Sequence, residues 1–343
     1  MAIFWRKHPT IFASMRNHFW VLFLLVIPAL AVGQKAEKAH QLGLEGIALV
    51  DKGMYSDGIK LLAKARNLDP AEFDYPFEIG RAYMLSGKSS KAEKYLFPLQ
   101  YHKSVSPEFY VLLGACYDSI NKPKREEETY RYGIEKFPNA GLLYFQLAGY
   151  YISRDSVAEG LSVCELGLQS DPNFADNYFL ASRIMDTKGN ALWAWWYGEV
   201  FLNLSANVVM KRAIAKQVAA NANMVCSSNW NPDADKLSHA VANATKKCGT
   251  EGDTSLIERQ IALHVCFAKH YEGRDALSTL LRELAQKNML PLYVATLYAE
   301  ADKAGFQSFA FANRTALERF TQYFYWNGLK ITFPFTRQTI VNP

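Results

Sequence analysis

Five consecutive frames of 34 residues fill residues 39–208 and decide the fold. Residues 107–140 read PEFYVLLGACYDSINKPKREEETYRYGIEKFPNA, and residues 141–174 read GLLYFQLAGYYISRDSVAEGLSVCELGLQSDPNF. In each frame an apolar segment with three- and four-residue spacing ends at a turn residue, and a second such segment follows. The frames run without insertion or deletion, beginning at Ala39, Phe73, Pro107, Gly141 and Ala175. This period predicts pairs of helices stacked one upon another.

Several columns recur at this spacing. The turn column consists of residue types that tolerate left-handed backbone, namely Gly53, Gly87, Asn121, Asp155 and Gly189. Small residues, suited to a close crossing of the paired helices, are Gly46, Gly80, Gly114, Ala148 and Ser182. A large side chain one turn later is Leu49, Tyr83, Tyr117, Tyr151 or Met185. The second helices contain a further column, small in four of five frames, at Gly58, Ala92, Glu126, Gly160 and Ala194. Frames end with Pro70, Pro138 and Pro172, which stop a helix.

These columns resemble the tetratricopeptide repeat family. Glu126 in a small column and Pro98 inside a second helix depart from the family pattern. The resemblance implies an all-α, right-handed solenoid whose first helices line a concave face that binds an extended or helical peptide. Residue by residue, it places these side chains on that face: Phe77, Arg81, Met84, Val111, Asp118, Phe145, Ile152, Phe179, Arg183 and Asp186. Alternatively, several of these aromatics pack against a neighbouring helix.

The first 33 residues have the pattern of a signal peptide. Arg6, Lys7 and Arg16 precede a 14-residue apolar run over residues 19–32, shorter than the roughly 20 residues of a membrane-spanning helix. We expect cleavage after Ala31 or Gly33, with an uncleaved membrane anchor as the alternative. Removing the three basic residues lowers the formal charge from +5 to +2, so the sequence does not support nucleic-acid binding.

The cysteines are too few for a disulfide framework in an exported chain of 343 residues. Cys116 and Cys164 lie at helical core spacing and are expected to be buried. Cys226 and Cys248 flank a polar segment, and the sequence leaves open whether they pair.

The strict period ends after Val208, but helical patterning continues through residues 209–327. We interpret this region as an irregular continuation or cap of the array, with a distinct helical domain as the alternative. A degenerate repeat is expected to restart near Pro291, with residues 306–325 as its second helix. Residues 328–343 alternate in polarity and predict an extended tail, which either covers the last helices or adds a strand to a partner.

No catalytic motif is evident in the sequence. His264, Cys266 and His270 are poorly spaced for metal ligation on one helix face, which favours structural or solvated roles. The acidic residues 126–128 are expected to form a solvated face, and Trp193, Trp196, Tyr197 and Val200 are expected in the core. The sequence therefore predicts an exported, non-enzymatic scaffold or adaptor without cofactor or metal, in a bacterial envelope, binding a protein or peptide. The alternative is an enzyme or carbohydrate-binding domain in the C-terminal third, with the repeats as its docking arm.

Overall fold

The computed structural model describes residues 34–227, 230–232, 236–245, 255–273 and 275–327. It divides into two compact units, residues 1–129 and 130–343, and the division falls inside one helix, α6 (Pro123–Lys136). The predicted signal peptide, the predicted tail and Cys248 lie outside the described residues. The predicted domain boundaries at residues 33, 39, 208 and 327 stay predictions.

The regular structure of unit 1 is helical. It contains α1 (residues 34–51), α2 (Tyr55–Leu68), α3 (Asp74–Leu85), α4 (Ser89–Leu96), α5 (Pro107–Ser119) and the start of α6. Helix α4 is short because a 3₁₀ turn, Phe97–Leu99, contains Pro98 and closes it.

Unit 2 contains the remaining repeats and the helices that follow them. In chain order these are α7 (Gly141–Ile152), α8 (Val157–Ser170), α9 (Ala175–Thr187), α10 (Ala191–Leu204), α11 (Val208–Val225), α12 (Lys236–Thr245), α13 (Leu256–His270), α14 (Ala276–Gln286), α15 (Leu290–Leu297), α16 (Lys303–Ala312) and α17 (Arg314–Asn327). Among the described residues, no helix is both long enough and apolar enough to cross a membrane.

All five residues of the predicted turn column have left-handed backbone. Their φ angles are 78° at Gly53, 71° at Gly87, 54° at Asn121, 61° at Asp155 and 74° at Gly189. In every repeat, the backbone amide of the residue that follows the turn residue donates to the carbonyl of the large column residue five positions before it. In the fifth repeat, Asn190 N donates to Met185 O at 2.9 Å. This hydrogen bond closes the first helix with the same cap in every repeat.

The small residues lie where the helices of one hairpin cross. A Cβ built on Gly46 would lie 2.8 Å from Leu62 Cγ, and one on Gly58 would lie 2.7 Å from the Gly46 carbonyl oxygen. In the fifth repeat the Ser182 hydroxyl is buried and donates to Ala194 O at 2.7 Å. Together with the turns, these crossings confirm the predicted all-α fold of tetratricopeptide-like hairpins.

Helix α10 lies at the centre of unit 2. Every residue from Ala191 to Leu202 is buried, so this helix is covered on all sides. Trp193, Trp196 and Tyr197 are among them, which confirms their predicted place in the core. One continuous core joins α7–α10 to α11–α17, from Ala148 to Phe320. Among the described residues, the C-terminal helices therefore share one core with the last repeats.

Helix α11 continues the array beyond the last regular frame. Arg183 Nη1 on α9 donates to Gln217 Oε1 on α11 at 2.7 Å, and Asn221 Nδ2 donates to Asp186 Oδ1 at 2.7 Å. These partners are 34 and 35 residues apart, so α11 packs on α9 with the spacing of a sixth first helix.

The later part of unit 2 departs from the expected restart near Pro291. The repeat-type turn lies earlier, at Asn288, whose φ is 56° and after which Met289 N donates to Leu284 O at 2.8 Å. It joins α14 to α15. Residues 306–325 do not form one helix, because the chain breaks between α16 and α17 at Asn313.

One expectation about a side chain is wrong. Glu126 belongs to the column that meets the first helix and is 5 % exposed, so this member of the acidic run is not solvated. The sequence left the pairing of Cys226 open, and the structure shows Cys226 as a buried free thiol at the C-terminal cap of α11. Among the described cysteines, Cys266 is disulfide-bonded. Cys116 and Cys164 are buried free thiols, as predicted, and burial raises the pKa of the Cys116 thiol to about 11.

Candidate protein-binding face

In unit 1, the candidate side chains lie on two neighbouring first helices. Phe77, Arg81 and Met84 are half-buried on α3, while Val111 is half-buried and Asp118 exposed on α5. The Phe77 ring lies 6.1 Å from the Phe109 ring, between centroids, so it partly fills the space between these helices.

The Arg81 guanidinium already has partners within unit 1. Its Nη2 donates to Asp51 Oδ1 of α1 at 2.9 Å, and its Nε donates to Glu78 of the same helix. Burial raises the pKa of the Glu78 carboxyl, and the hydrogen bond from Arg81 only partly opposes this effect. Arg81 therefore joins neighbouring first helices in addition to any role towards a ligand.

In unit 2, the candidates lie on α7 and α9. Phe145, Ile152 and Phe179 are half-buried, and Ile152 and Phe179 pack against the core. The Phe179 ring lies 5.3 Å from the Phe201 ring, between centroids. Arg183 is exposed although it bonds Gln217, and Asp186 is half-buried beside Asn221. The alternative of aromatic packing thus holds in part, because Phe179 is half-buried and packs against the core.

Gly149 is a member of this face that the sequence reasoning missed. It lies four residues after Phe145 on α7, in the column that contains Arg81 and Arg183, and it is exposed. A Cβ built on Gly149 would meet no atom of the described residues within 4 Å. The only signal in the sequence was a glycine inside a helical pattern, which costs about 0.5–1 kcal/mol relative to alanine.

Unit 2 also contains a buried polar cluster that no sequence motif marked, here called the Glu199 cluster. Its members come from α10, α13 and the end of α15, and they are Trp195, Glu199, Asn203, His264, Tyr293 and Tyr298. Glu199 and His264 are both 0 % exposed, so substrate has no access to them. His264 therefore has a structural role and is not solvated.

The described residues contain no group of three or more His, Cys, Asp or Glu side chains that is arranged to hold a metal ion. His270 ends α13 on the surface side, away from the buried ring of His264. The geometry defines the class of protein as an all-α array of tetratricopeptide-like hairpins, with a candidate face on its first helices.

No protein-family model matches the chain, and no curated protein matches it. Solved structures of helical-repeat proteins are similar to about half of it. MamA has 21 % identity and a TM-score of 0.40, and the match covers 46 % of this chain and 92 % of that one. PilF of Pseudomonas aeruginosa has 12 % identity and a TM-score of 0.45, with 56 % and 92 % covered. YrrB, described as a tetratricopeptide repeat protein with an unusual peptide-binding site, has 16 % identity and a TM-score of 0.39, with 53 % and 94 % covered.

Proposed function

We propose that this protein is a non-enzymatic adaptor that binds a segment of another protein on the first helices of unit 2. The proposed face contains Phe145, Gly149 and Ile152 on α7, with Phe179 and Arg183 on α9. Gly149 is the observation that carries the proposal. It is exposed, and its surroundings in the described part of the chain leave room for a side chain. The lack of a side chain costs helix stability, and no contact among the described residues requires it.

Close contact with a partner would explain why this position is a glycine. Without a Cβ, α7 lets the backbone or a side chain of a bound segment rest against the helix between Phe145 and Ile152. The half-buried side chains of Phe145, Ile152 and Phe179 supply apolar contact. Ile152 and Phe179 pack against the core, so they lose little freedom on binding.

The chemistry of the face favours a protein segment over other ligand classes. A nucleic acid needs several cations that neutralise phosphates, whereas Arg183 is the cation among the proposed face residues and bonds Gln217. A small polar metabolite needs convergent polar groups in a concave site. Mixed apolar and polar side chains on neighbouring helices are typical of protein interfaces.

Site-specific crosslinking in cells tests this proposal. A photoreactive residue in place of Phe145 or Phe179 is expected to capture a protein. The same residue in place of Leu166, an exposed side chain on the second helix α8, is the matched control and is expected to capture none. Equal capture at Leu166, or no capture at Phe145 and Phe179, contradicts the proposed face.

A second pair of variants tests the role of Gly149. Gly149→Gln adds a side chain where the fold leaves space, so it is expected to block capture without harming the protein. Ala158→Gln adds the same amide at an exposed position of α8 and is expected to leave capture intact.

We further propose that the protein is exported and works in a bacterial envelope. The basic and apolar pattern of residues 1–33 supports export, with an uncleaved anchor as the alternative. The disulfide at Cys266 supports it independently, because disulfides persist mainly in oxidising compartments.

A further inference from the structure

An acid and a base meet in the interior of unit 2. Glu199 on α10 and His264 on α13 are 65 residues apart in the chain, and their Oε2 and Nε2 atoms are 3.0 Å apart. Both side chains are 0 % exposed. A buried charge without a partner is strongly unfavourable, so the protonation of this pair affects how firmly the two helices hold together.

Both ring nitrogens of His264 face acceptors, the Gln260 carbonyl oxygen at 2.7 Å from Nδ1 and the Glu199 carboxylate at 3.0 Å from Nε2. We assign the hydrogen of the neutral ring to Nδ1, because its contact is the shorter one. The ring therefore has two available states. With a proton on Nε2 it is an imidazolium that donates to Glu199, and without it a lone pair faces the carboxylate.

The other groups around the carboxylate are neutral donors. Trp195 Nε1 donates to Oε2 at 2.6 Å, and the Tyr293 and Tyr298 hydroxyls lie 3.4 and 3.5 Å from the carboxylate oxygens. Burial and the Glu199 charge raise the pKa of both phenols well above the usual value, so the phenols stay protonated. The imidazole is the group of this cluster whose ordinary pKa lies near neutral pH.

We propose that Glu199 and His264 form a pH-sensitive clasp that holds α13 and α15 against α10 when the ring is an imidazolium and loosens when it loses its Nε2 proton to solvent. Loss of that proton removes the charge partner of Glu199 and places the nitrogen lone pair against a carboxylate oxygen. Tyr293 and Tyr298 transmit the change to α15, because they share the same carboxylate.

The direction of the pH dependence follows from the environment of the ring. Burial lowers the pKa of His264, but the Glu199 charge and the hydrogen bonds from Glu199 and Gln260 outweigh it, so the pKa lies above 6.5. The stabilisation is therefore complete below the ordinary histidine pKa and is lost as the pH rises through the raised one.

Thermal unfolding of the full-length chain between about pH 6 and about pH 9, followed by tryptophan fluorescence, tests the clasp. Trp193, Trp195 and Trp196 are buried in unit 2, so the signal reports this unit. The wild-type midpoint is expected to fall by at least about 4 °C over this range. A midpoint that is constant or rises overturns the proposal.

Glu199→Gln is the decisive variant, because its expected pH dependence has the opposite sign. The Gln amide can donate to the Nε2 lone pair of a neutral ring, whereas an imidazolium there would be buried without a counter-charge. Its midpoint should therefore fall as the pH is lowered. An unchanged wild-type profile in Glu199→Gln would assign the pH dependence to other groups.

Hydrogen exchange locates the change and does not require any variant to fold. After correction for the intrinsic exchange rate, peptides from α13 and α15 should lose protection at high pH, while peptides from α3 and α5 of unit 1 serve as the reference. Equal loss of protection in both sets would mean general destabilisation and would overturn the clasp.

Discussion

Two glycines of unit 2 allow one substitution to be tested in opposite backbone settings. Gly149 lies within α7, and Gly189 lies in the turn between α9 and α10 with φ of 74°. A Cβ built on either glycine meets no atom within 4 Å. Alanine therefore causes no clash at either position, and the backbone alone decides the effect on stability.

The expected effects differ in sign. Gly149→Ala should raise the free energy of unfolding by about 0.5–1 kcal/mol, because alanine favours the helix and restricts the unfolded chain. Gly189→Ala should lower it by about 1 kcal/mol, because left-handed backbone costs a side chain about 1–2 kcal/mol and reduced unfolded-state entropy returns only part of this. The two variants should thus differ by roughly 1.5–2 kcal/mol.

Urea unfolding measured by tryptophan fluorescence provides the assay, because the buried tryptophans 193, 195 and 196 belong to the same unit as both glycines. The midpoints should move in opposite directions at an unchanged slope. If both alanine variants stabilise the protein, then Gly189 does not need left-handed backbone to end α9, which contradicts the role given to the turn column.

Three further predictions concern other parts of the chain. Gly80→Ala should destabilise unit 1 by about 1–3 kcal/mol, because the added Cβ would lie 2.5 Å from Leu96 Cδ2. Thermal unfolding followed by circular dichroism checks this, with Ser90→Ala at an exposed position as the control. Non-reducing peptide mapping should find Cys266 in a disulfide. It should find Cys116, Cys164 and Cys226 as thiols that react only after unfolding. A disulfide-linked peptide that contains Cys226 and Cys248 would contradict the structure. Mass spectrometry of the protein from the envelope fraction should show a new N-terminus after Ala31 or Gly33, whereas an intact Met1 in membranes would favour the anchor.

The repeat geometry was predictable because its requirements are local. A left-handed turn selects Gly, Asn or Asp, and a close helix crossing selects small residues, so both leave columns that a single sequence displays. The burial of Trp193 and Trp196 followed from helical spacing in the same way.

The Glu199 cluster was not predictable, because its contacts join the fifth frame to residues 65 to 99 positions later, beyond the periodic region. The apolar neighbours Trp196 and Val200 indicate that Glu199 lies in a buried helix, but nothing in the sequence indicates which residues it contacts. The state of Cys226 stayed open for a related reason, since the polar segment after it suggested a loop, whereas the residue itself caps α11 against the core. The open space at Gly149 was not predictable, because a position without packing contacts produces no recurring residue type in the sequence.

Affinity for the captured partner tests the binding face most directly. Calorimetric titration of the purified partner should show that Gly149→Gln weakens binding at least about tenfold, or roughly 1.4 kcal/mol, while Ala158→Gln binds like the wild type. Equal affinities for the wild type, Gly149→Gln and Ala158→Gln would show that the partner does not rest on the first helices of unit 2.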